Sequence, residues 1–477
     1  MSPRPAQVLA ALDPPSASAA TEALLVSGGD ARLALDPATG ANRYGCPPRP
    51  VPLVLDFASA TASIISPRGF AAADALRRRL AQNTREQGRA WARLREELPE
   101  LFGLGEFSGL SSLLAPSGTD LHALALAFAH SGAGADLTIL LAEPSETGSG
   151  VPSAMAGPPL RLAHPRSKDV SLRTVAIRHP DGSPRAAEEV DGEFAAQARL
   201  ALDEGREVLL VVLDVSKTGL TAPSPALTLS LMDRPGVRVL VDACQARLAP
   251  ATLAAWLRAG AMLAVTGSKF LGGPSFSGVL FVPAALAHGR PDPGGMATDR
   301  HPGQPGLLLR WEAALAELRL FRHLPGAEVQ AILRDFGRFL AQRLSGETLM
   351  EALPGLPVDR SPLVMGESWD QETSVFALRF RLPDGRSLTP GAVSKLYRLL
   401  RQDVSHGLGV GLAAIPVQLG QPVSCGAPDG TPGAALRLCL SARQLIQAAE
   451  EGGATRLMDQ SDTIIRKISL ILNGLSE

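Results

Sequence analysis

Three short segments carry side chains whose chemistry depends on being placed by a fold. The first is Ser117-Gly118-Thr119-Asp120, which runs straight into the apolar stretch LHALALAFAH. A glycine and hydroxyl residues at a helix start leave backbone N–H groups free at the positive end of the helix dipole, which suits a phosphate. The same residues could serve as a plain N-cap. The GxxxxGK spacing of a Walker loop is missing. The second segment is VLVDACQ, with Asp242 and Gln245. An acid at the end of an apolar strand is costly to bury unless it is paired, and a protonated ring nitrogen is one such partner. An aspartate that caps a loop is the plainer alternative. The third is Thr266-Gly267-Ser268-Lys269, followed by FLGGPSFSGVLFV. A lysine next to the core needs its charge used or its pKa lowered. Schiff-base lysines belong to that class. A solvated loop lysine would need neither the flanking strand nor Ser268 and the paired glycines Gly272 and Gly273.

Order and spacing join the three. Lys269 follows Asp242 by 27 residues, room for one helix and one strand. Together the segments resemble the fold-type I enzymes that use pyridoxal 5'-phosphate (PLP), most closely the class V aminotransferase and cysteine-desulfurase branch. The resemblance covers residues 56 to 445, with its motifs inside 115–283. It implies that Lys269 holds PLP as a Schiff base and is the catalytic residue. It also implies that Ser117, Gly118, Thr119 and Ser268 bind the phosphate, that Asp242 pairs with the pyridine nitrogen, and that Gln245 touches the ring hydroxyl. The segment Asp214 to Gly219 (DVSKTG) resembles the family's H-x-S-N-x-T-G loop, one residue shorter. Ser216 is the implied cofactor contact there, and Lys217 stands near the usual asparagine.

Two further positions follow from the resemblance. The family places a histidine or aromatic residue against the ring downstream of the phosphate turn. Residues 142–148 (AEPSETG) contain neither, so Glu146 or Thr147 falls there, Thr147 being taken as cofactor-binding. Near the C-terminus, Arg437 lies where the family's R-x-S arginine would bind a substrate carboxylate, with Arg443 as the fallback. Planar, two-pronged pairing makes arginine the usual choice for that task. The implied activity is transamination of an amino acid or amine. One alternative is a carbon–sulfur or β-elimination lyase, including a cysteine desulfurase. Another is a non-catalytic protein of the same fold. A desulfurase needs a thiol on a mobile loop, and Cys425 stands two positions beyond the family's G-x-x-C spacing, where Val423 is found. Such enzymes are homodimers, and Gly303 to Leu307, with Arg310 and Trp311, resembles the segment that crosses to the partner's cofactor.

The elements that must hold these residues are legible as patterns. Short apolar, β-branched runs at 137–141, 174–177, 208–213, 237–241, 262–265 and 277–282 alternate with helical or loop segments. That is the signature of an α/β domain with a mainly parallel, buried sheet. A long charged helix is expected at 70–98. Beyond Pro305 come helices at 307–321, 327–344, 393–404 and 459–472, with strands at 375–382 and 435–440. We expect a PLP-transferase (aspartate aminotransferase-like) fold. It divides into an N-terminal arm (1–55), a large PLP-binding domain (56–310) and a smaller α+β C-terminal domain (311–477).

Composition agrees with a globular enzyme of this size. The 477 residues are 45% hydrophobic and 19% charged, and 46 Lys and Arg against 47 Asp and Glu leave a net charge of −1. No pull toward nucleic acid or an anionic membrane results. Four cysteines without a CxxC pair give no zinc or disulfide framework. His122 and His130 read as structural histidines. No apolar run of ~18 residues is present, and the N-terminus lacks the ~7–15-residue apolar core of a signal peptide. A cytoplasmic protein acting on a small molecule, with no metal, is the expectation.

Overall fold

Continuous apolar runs need burial on both faces, and the chain provides two cores for them. The computed structural model describes residues 20–83, 85–129, 136–156, 169–288, 305–405 and 411–474. Its strands in chain order are β1 (Leu55–Phe57), β2 (Ser111–Ala115), β3 (Leu137–Ala142), β4 (Val170–Val175), β5 (Glu207–Asp214), β6 (Thr221–Ala222), β7 (Val237–Ala243), β8 (Met262–Thr266) and β9 (Gly278–Val282), then β10 (Met350–Ala352), β11 (Val375–Phe380), β12 (Val417–Gly426) and β13 (Pro432–Cys439). The large sheet has the order β2-β9-β8-β7-β5-β3-β4, with β6 paired to β5. Strands β4, β3, β5, β7 and β8 run parallel, and β9 runs against both β8 and β2.

Alternate residues of the central strands enter opposite cores. Leu140, Val208, Leu210 and Val212 pack on one side, whereas Ile139, Leu141, Leu209 and Val211 pack on the other. This period of two explains why the strands read as unbroken apolar runs. The parallel direction of β4, β3, β5, β7 and β8 sets their carboxyl ends along one edge.

The second sheet has the order β1-β12-β13-β11-β10. Strand β1, expected in the large domain, instead pairs in parallel with β12 of this sheet, Leu55 opposite Val417. The helix Pro305–Phe321 runs across the expected 310/311 boundary. The long helix expected at 70–98 is two, Pro67–Gln82 and Glu86–Leu101. Asn83 separates them: its backbone is extended, and its side chain accepts the Arg85 amide at 2.9 Å. Asparagine competes for backbone in this way and so ends helices. Buried arginines join the two sheets. Arg247 donates to Ser59 Oγ (2.9 Å), Ser374 Oγ (2.9 Å) and the Leu440 carbonyl (2.8 Å), and Arg360 pairs with Asp214 and Asp370. No described helix is long and apolar enough to cross a membrane.

Candidate active site

The carboxyl edge of the large sheet opens into a cavity of about 560 Å³. Ligands of open α/β sheets bind at that edge. Ser117, Gly118, Thr119, Thr147, Asp242, Gln245, Ser268, Lys269 and Arg437 all line it. Ser216 does not, nor do the fallback Arg443 and the thiol of Cys425.

Asp242, near the end of β7, is buried, with His122 Nε2 at 3.2 Å from its carboxylate. The Cys244 amide donates to it at 3.2 Å. Burial by itself would raise the Asp242 carboxyl. The His122 charge, with Lys269 and the Cys244 amide, outweighs burial and holds it well below the usual carboxylate range. The same pair acts on the imidazole: burial opposes its charge, but Asp242 prevails and raises the pKa. His122 lies one turn into the helix Gly118–Ala129, and its Nδ1 donates to the Gly118 carbonyl at 2.7 Å. One side chain therefore couples the phosphate-type turn to the buried acid. The sequence reading took His122 as merely structural; its i+4 spacing from Gly118 was the available signal.

The turn before that helix caps itself. Asp120 accepts the Ser117 amide at 3.0 Å and the Ser117 hydroxyl at 2.7 Å. A helix cannot satisfy its own first-turn amides, and Gly118 and Thr119 at this helix start line the cavity. A Cβ on Gly118 would lie 2.9 Å from Cys244 Sγ, so the turn can sit this close to β7 only with glycine. The lysine turn is equally tight. Gly267 donates to the Ser277 carbonyl at 2.7 Å and Gly273 to the Gly267 carbonyl at 2.9 Å. A Cβ on Gly267 would stand 2.8 Å from Ala314 Cβ. Ser63 donates to the Lys269 carbonyl at 3.1 Å. Gln245 spends its amide on the Ala60 carbonyl at 3.2 Å.

The loop after β5 departs from expectation. The Ser216 hydroxyl is fully buried, outside the cavity lining, and donates at 2.7 Å to Glu146, which does line it. Glu146 also takes Arg178 Nε (2.8 Å) and the Thr218 hydroxyl (2.7 Å), a network that leaves it nothing to offer a ligand. Lys217, the neighbour of Ser216, lines the cavity instead. Its Nζ donates to the Pro144 carbonyl at 3.0 Å. Burial, and then Arg437, lower its pKa to about 8. Thr147 lines the cavity, its hydroxyl buried without a partner. Among the described lining residues the aromatic rings are Tyr44 and Phe276, together with the His122 imidazole.

Arg437 is buried on β13 opposite Gly420 of β12, where a Cβ would lie 2.9 Å from its own. Its Nη2 donates to Thr61 Oγ1 (2.6 Å) and to the Gln421 carbonyl (2.9 Å), while its buried Nε has no partner. Arg443, the fallback, is held by Asp56 and the Ile64 carbonyl and does not line the cavity. Cys425 is not on a loop. It is paired with Gly433 in the β12–β13 hairpin, outside the cavity lining, and burial pushes its thiol up to about 11. The segment expected to cross to a partner subunit is used within its own chain: Gly306, Leu307, Arg310 and Trp311 are buried. Gly303, Gln304 and His130 lie outside the described residues.

Solved structures settle the architecture. A rice (Oryza sativa) TDC with PLP and tryptamine superposes with a TM-score of 0.52 at 13% identity, covering 88% of this chain and 84% of that one. The cystine C-S lyase C-DES, in complex with its product cysteine persulfide, gives 0.52 at 15% identity, covering 86% and 97%. The Escherichia coli cysteine desulfurase CsdA gives 0.51 at 13%, covering 86% and 94%. This is the fold of the fold-type I PLP enzymes. At such identities the likeness concerns the fold; the sequence itself matches no family and no curated protein. Within that fold, sequence reasoning missed Arg32, Tyr44 and Thr61, which reach the cavity from the N-terminal segment. No local motif marks them, because only the path of the chain brings them there.

Proposed function

We propose that this chain binds pyridoxal 5'-phosphate through Lys269 and transforms an amino acid or related amine, with transamination as the reaction. One observation carries the reading: a buried acid kept ionised by an imidazole shares a cavity with a lysine and a buried arginine. The residues fit the cofactor. Asp242 offers a negative edge for a protonated ring nitrogen. The first-turn amides at Gly118 and Thr119, with Ser117 and Ser268, suit a phosphate. Thr147 Oγ1 and Arg437 Nε are buried polar atoms still lacking partners, and such atoms are uncommon unless something satisfies them.

When bound, PLP supplies an electrophilic carbon for the substrate amine and a ring that withdraws electrons from the bond being broken. The protein does the rest. His122 holds Asp242 in its charged form, and Asp242 would face the ring nitrogen and keep it protonated. Arg437 would grip the substrate carboxylate and orient Cα. The Lys269 amine would be the base that takes the Cα proton and the acid that returns it. Elimination of a β-substituent is the second reading, supported by the structural similarity to a C-S lyase. Desulfuration through Cys425 has no support from the position or the raised pKa of that thiol. A homodimer is the assembly we propose on the same resemblance, to be checked by sedimentation.

The experiment is an absorbance spectrum of purified protein with added PLP, wild type against Lys269→Ala, followed by a panel of amino acids. A visible band in the wild type only, and stoichiometric conversion of an amino acid to its oxo acid, are expected. Pyruvate with ammonia and a released thiol would favour elimination. A wild type that stays colourless with PLP ends the proposal, and a band unchanged by every amino acid would make the protein a non-catalytic binder.

A further inference from the structure

The N-terminal segment delivers a cation to the end of the cavity where the helix Gly118–Ala129 begins. Arg310 fastens that segment. It is fully buried, and its hydrogen bonds are to carbonyls on two separate stretches. Nε donates to the Phe276 carbonyl at 2.6 Å, Nη1 to those of Leu25 (3.1 Å) and Ser27 (2.6 Å), and Nη2 to that of Gly28 (3.3 Å). Gly306 allows the close approach: a Cβ there would lie 2.5 Å from the Leu24 carbonyl oxygen. The segment is thus bound to the loop that follows Lys269.

Arg32 comes next along the anchored chain. Its guanidinium lies over the Phe276 ring, 4.7 Å from the centroid, with Nη2 3.4 Å from Ser117 Oγ. Asp30 grips it from one side, accepting Nε at 3.0 Å and Nη2 at 2.6 Å. That two-pronged grip fixes the direction of the side chain. Beside Phe276 is Ser275, whose buried hydroxyl lines the cavity and has no partner.

The cavity has two cationic positions: Arg32 stands beside Ser117 at the helix start, whereas Arg437 stands on β13 against Thr61 and Gln421. A cofactor phosphate and a substrate carboxylate need one position each, and Arg437 belongs to the carboxylate. We propose that Arg32 and Ser275 are ligands of the cofactor phosphate, so that the N-terminal segment is part of the cofactor site. This rests on the PLP reading above.

The test compares PLP with pyridoxal, which lacks the phosphate. Cofactor-free wild type, Arg32→Ala, Arg32→Lys and Ser275→Ala are titrated with each, following absorbance and the melting temperature. Arg32→Ala is expected to weaken PLP binding about 10- to 100-fold while changing pyridoxal binding less than about twofold. Arg32→Lys keeps the charge and loses the fork, so its PLP-specific loss is smaller. Ser275→Ala is expected to weaken PLP about 3- to 10-fold. Should Arg32→Ala fail to fold, the other two variants carry the same comparison. Equal losses for the two ligands, or none for either, would overturn the assignment and leave Arg32 as a strap on the Phe276 loop. A wild type that takes up neither ligand overturns the PLP reading, and this proposal with it.

Discussion

Two buried acids lie on the same edge of the large sheet and have opposite uses. Glu146 follows β3, and its carboxyl is saturated by Arg178, Ser216 and Thr218. Asp242, near the end of β7, has only the Cys244 amide and one imidazole beside it, and both acids line the cavity. Both would look equally anomalous to a count of buried charges. What separates them is the valence left over. A saturated acid holds a loop in place, whereas an acid kept ionised with an open edge is prepared for a ligand.

The comparison can be broken most directly by exchanging each carboxylate for its amide. Asp242→Asn is expected to lower turnover about 10²–10³-fold, the size of losing one preorganised electrostatic partner. Its denaturant midpoint should fall as well, because the buried His122 loses its acid, but by less than at Glu146, since an imidazole can release its proton and a guanidinium cannot; kinetics beside urea melts read both. Glu146→Gln should act mainly on stability. It leaves the Arg178 charge buried without its acid, at a cost of ~3–5 kcal/mol in unfolding free energy, with the loop of Lys217 loosened as a consequence. If Glu146→Gln instead spared stability and removed turnover, the distinction drawn here would collapse.

Lys217 sharpens the contrast through pH. Its pKa of about 8 lies below the 10.5 of an unfolded lysine. Between those values the unfolded chain binds more protons, so folding stability rises with pH across that window. The slope from this one group is at most about 1.4 kcal/mol per pH unit, reduced by solvent around a half-buried ammonium. Lys217→Met should remove that increment, read as the difference between wild-type and variant melts from pH 8 to 10.5. An unchanged difference across the window would mean that Lys217 titrates as an ordinary surface lysine. The smallest effect is expected at Cys425, where replacement by serine should leave turnover within about twofold. Loss of persulfide formation from cysteine in that variant would restore the desulfurase reading.

Much of the site was legible because its parts are local. Lys269 with Ser268, Asp242 with Gln245, and the Ser117–Thr119 turn are each carried by a strand end or helix start that the apolar pattern marks out. Arg437 was placed by its strand. Ser216 and Lys217 show where such reading stops. Ser216 is held by Glu146 and its neighbour Lys217 lines the cavity, an outcome set by hydrogen bonds with a residue 70 positions away. Asn83 is similar: a single side chain divided a helix that the charge pattern presented as continuous.

By itself the sequence determined the α/β class, most strands of the large sheet, though not β2 or β6, and residues suited to a phosphate, a ring nitrogen and a Schiff base. Those features follow from periodicities and spacings of a few residues, which local geometry imposes. The tertiary structure alone decided that β1 joins the second sheet, that His122 supports Asp242, and that Arg32 reaches Ser117 across 85 positions of chain. Contacts of that kind are set by which segments pack together to bury apolar surface and satisfy charges such as Arg310, and no local pattern records them.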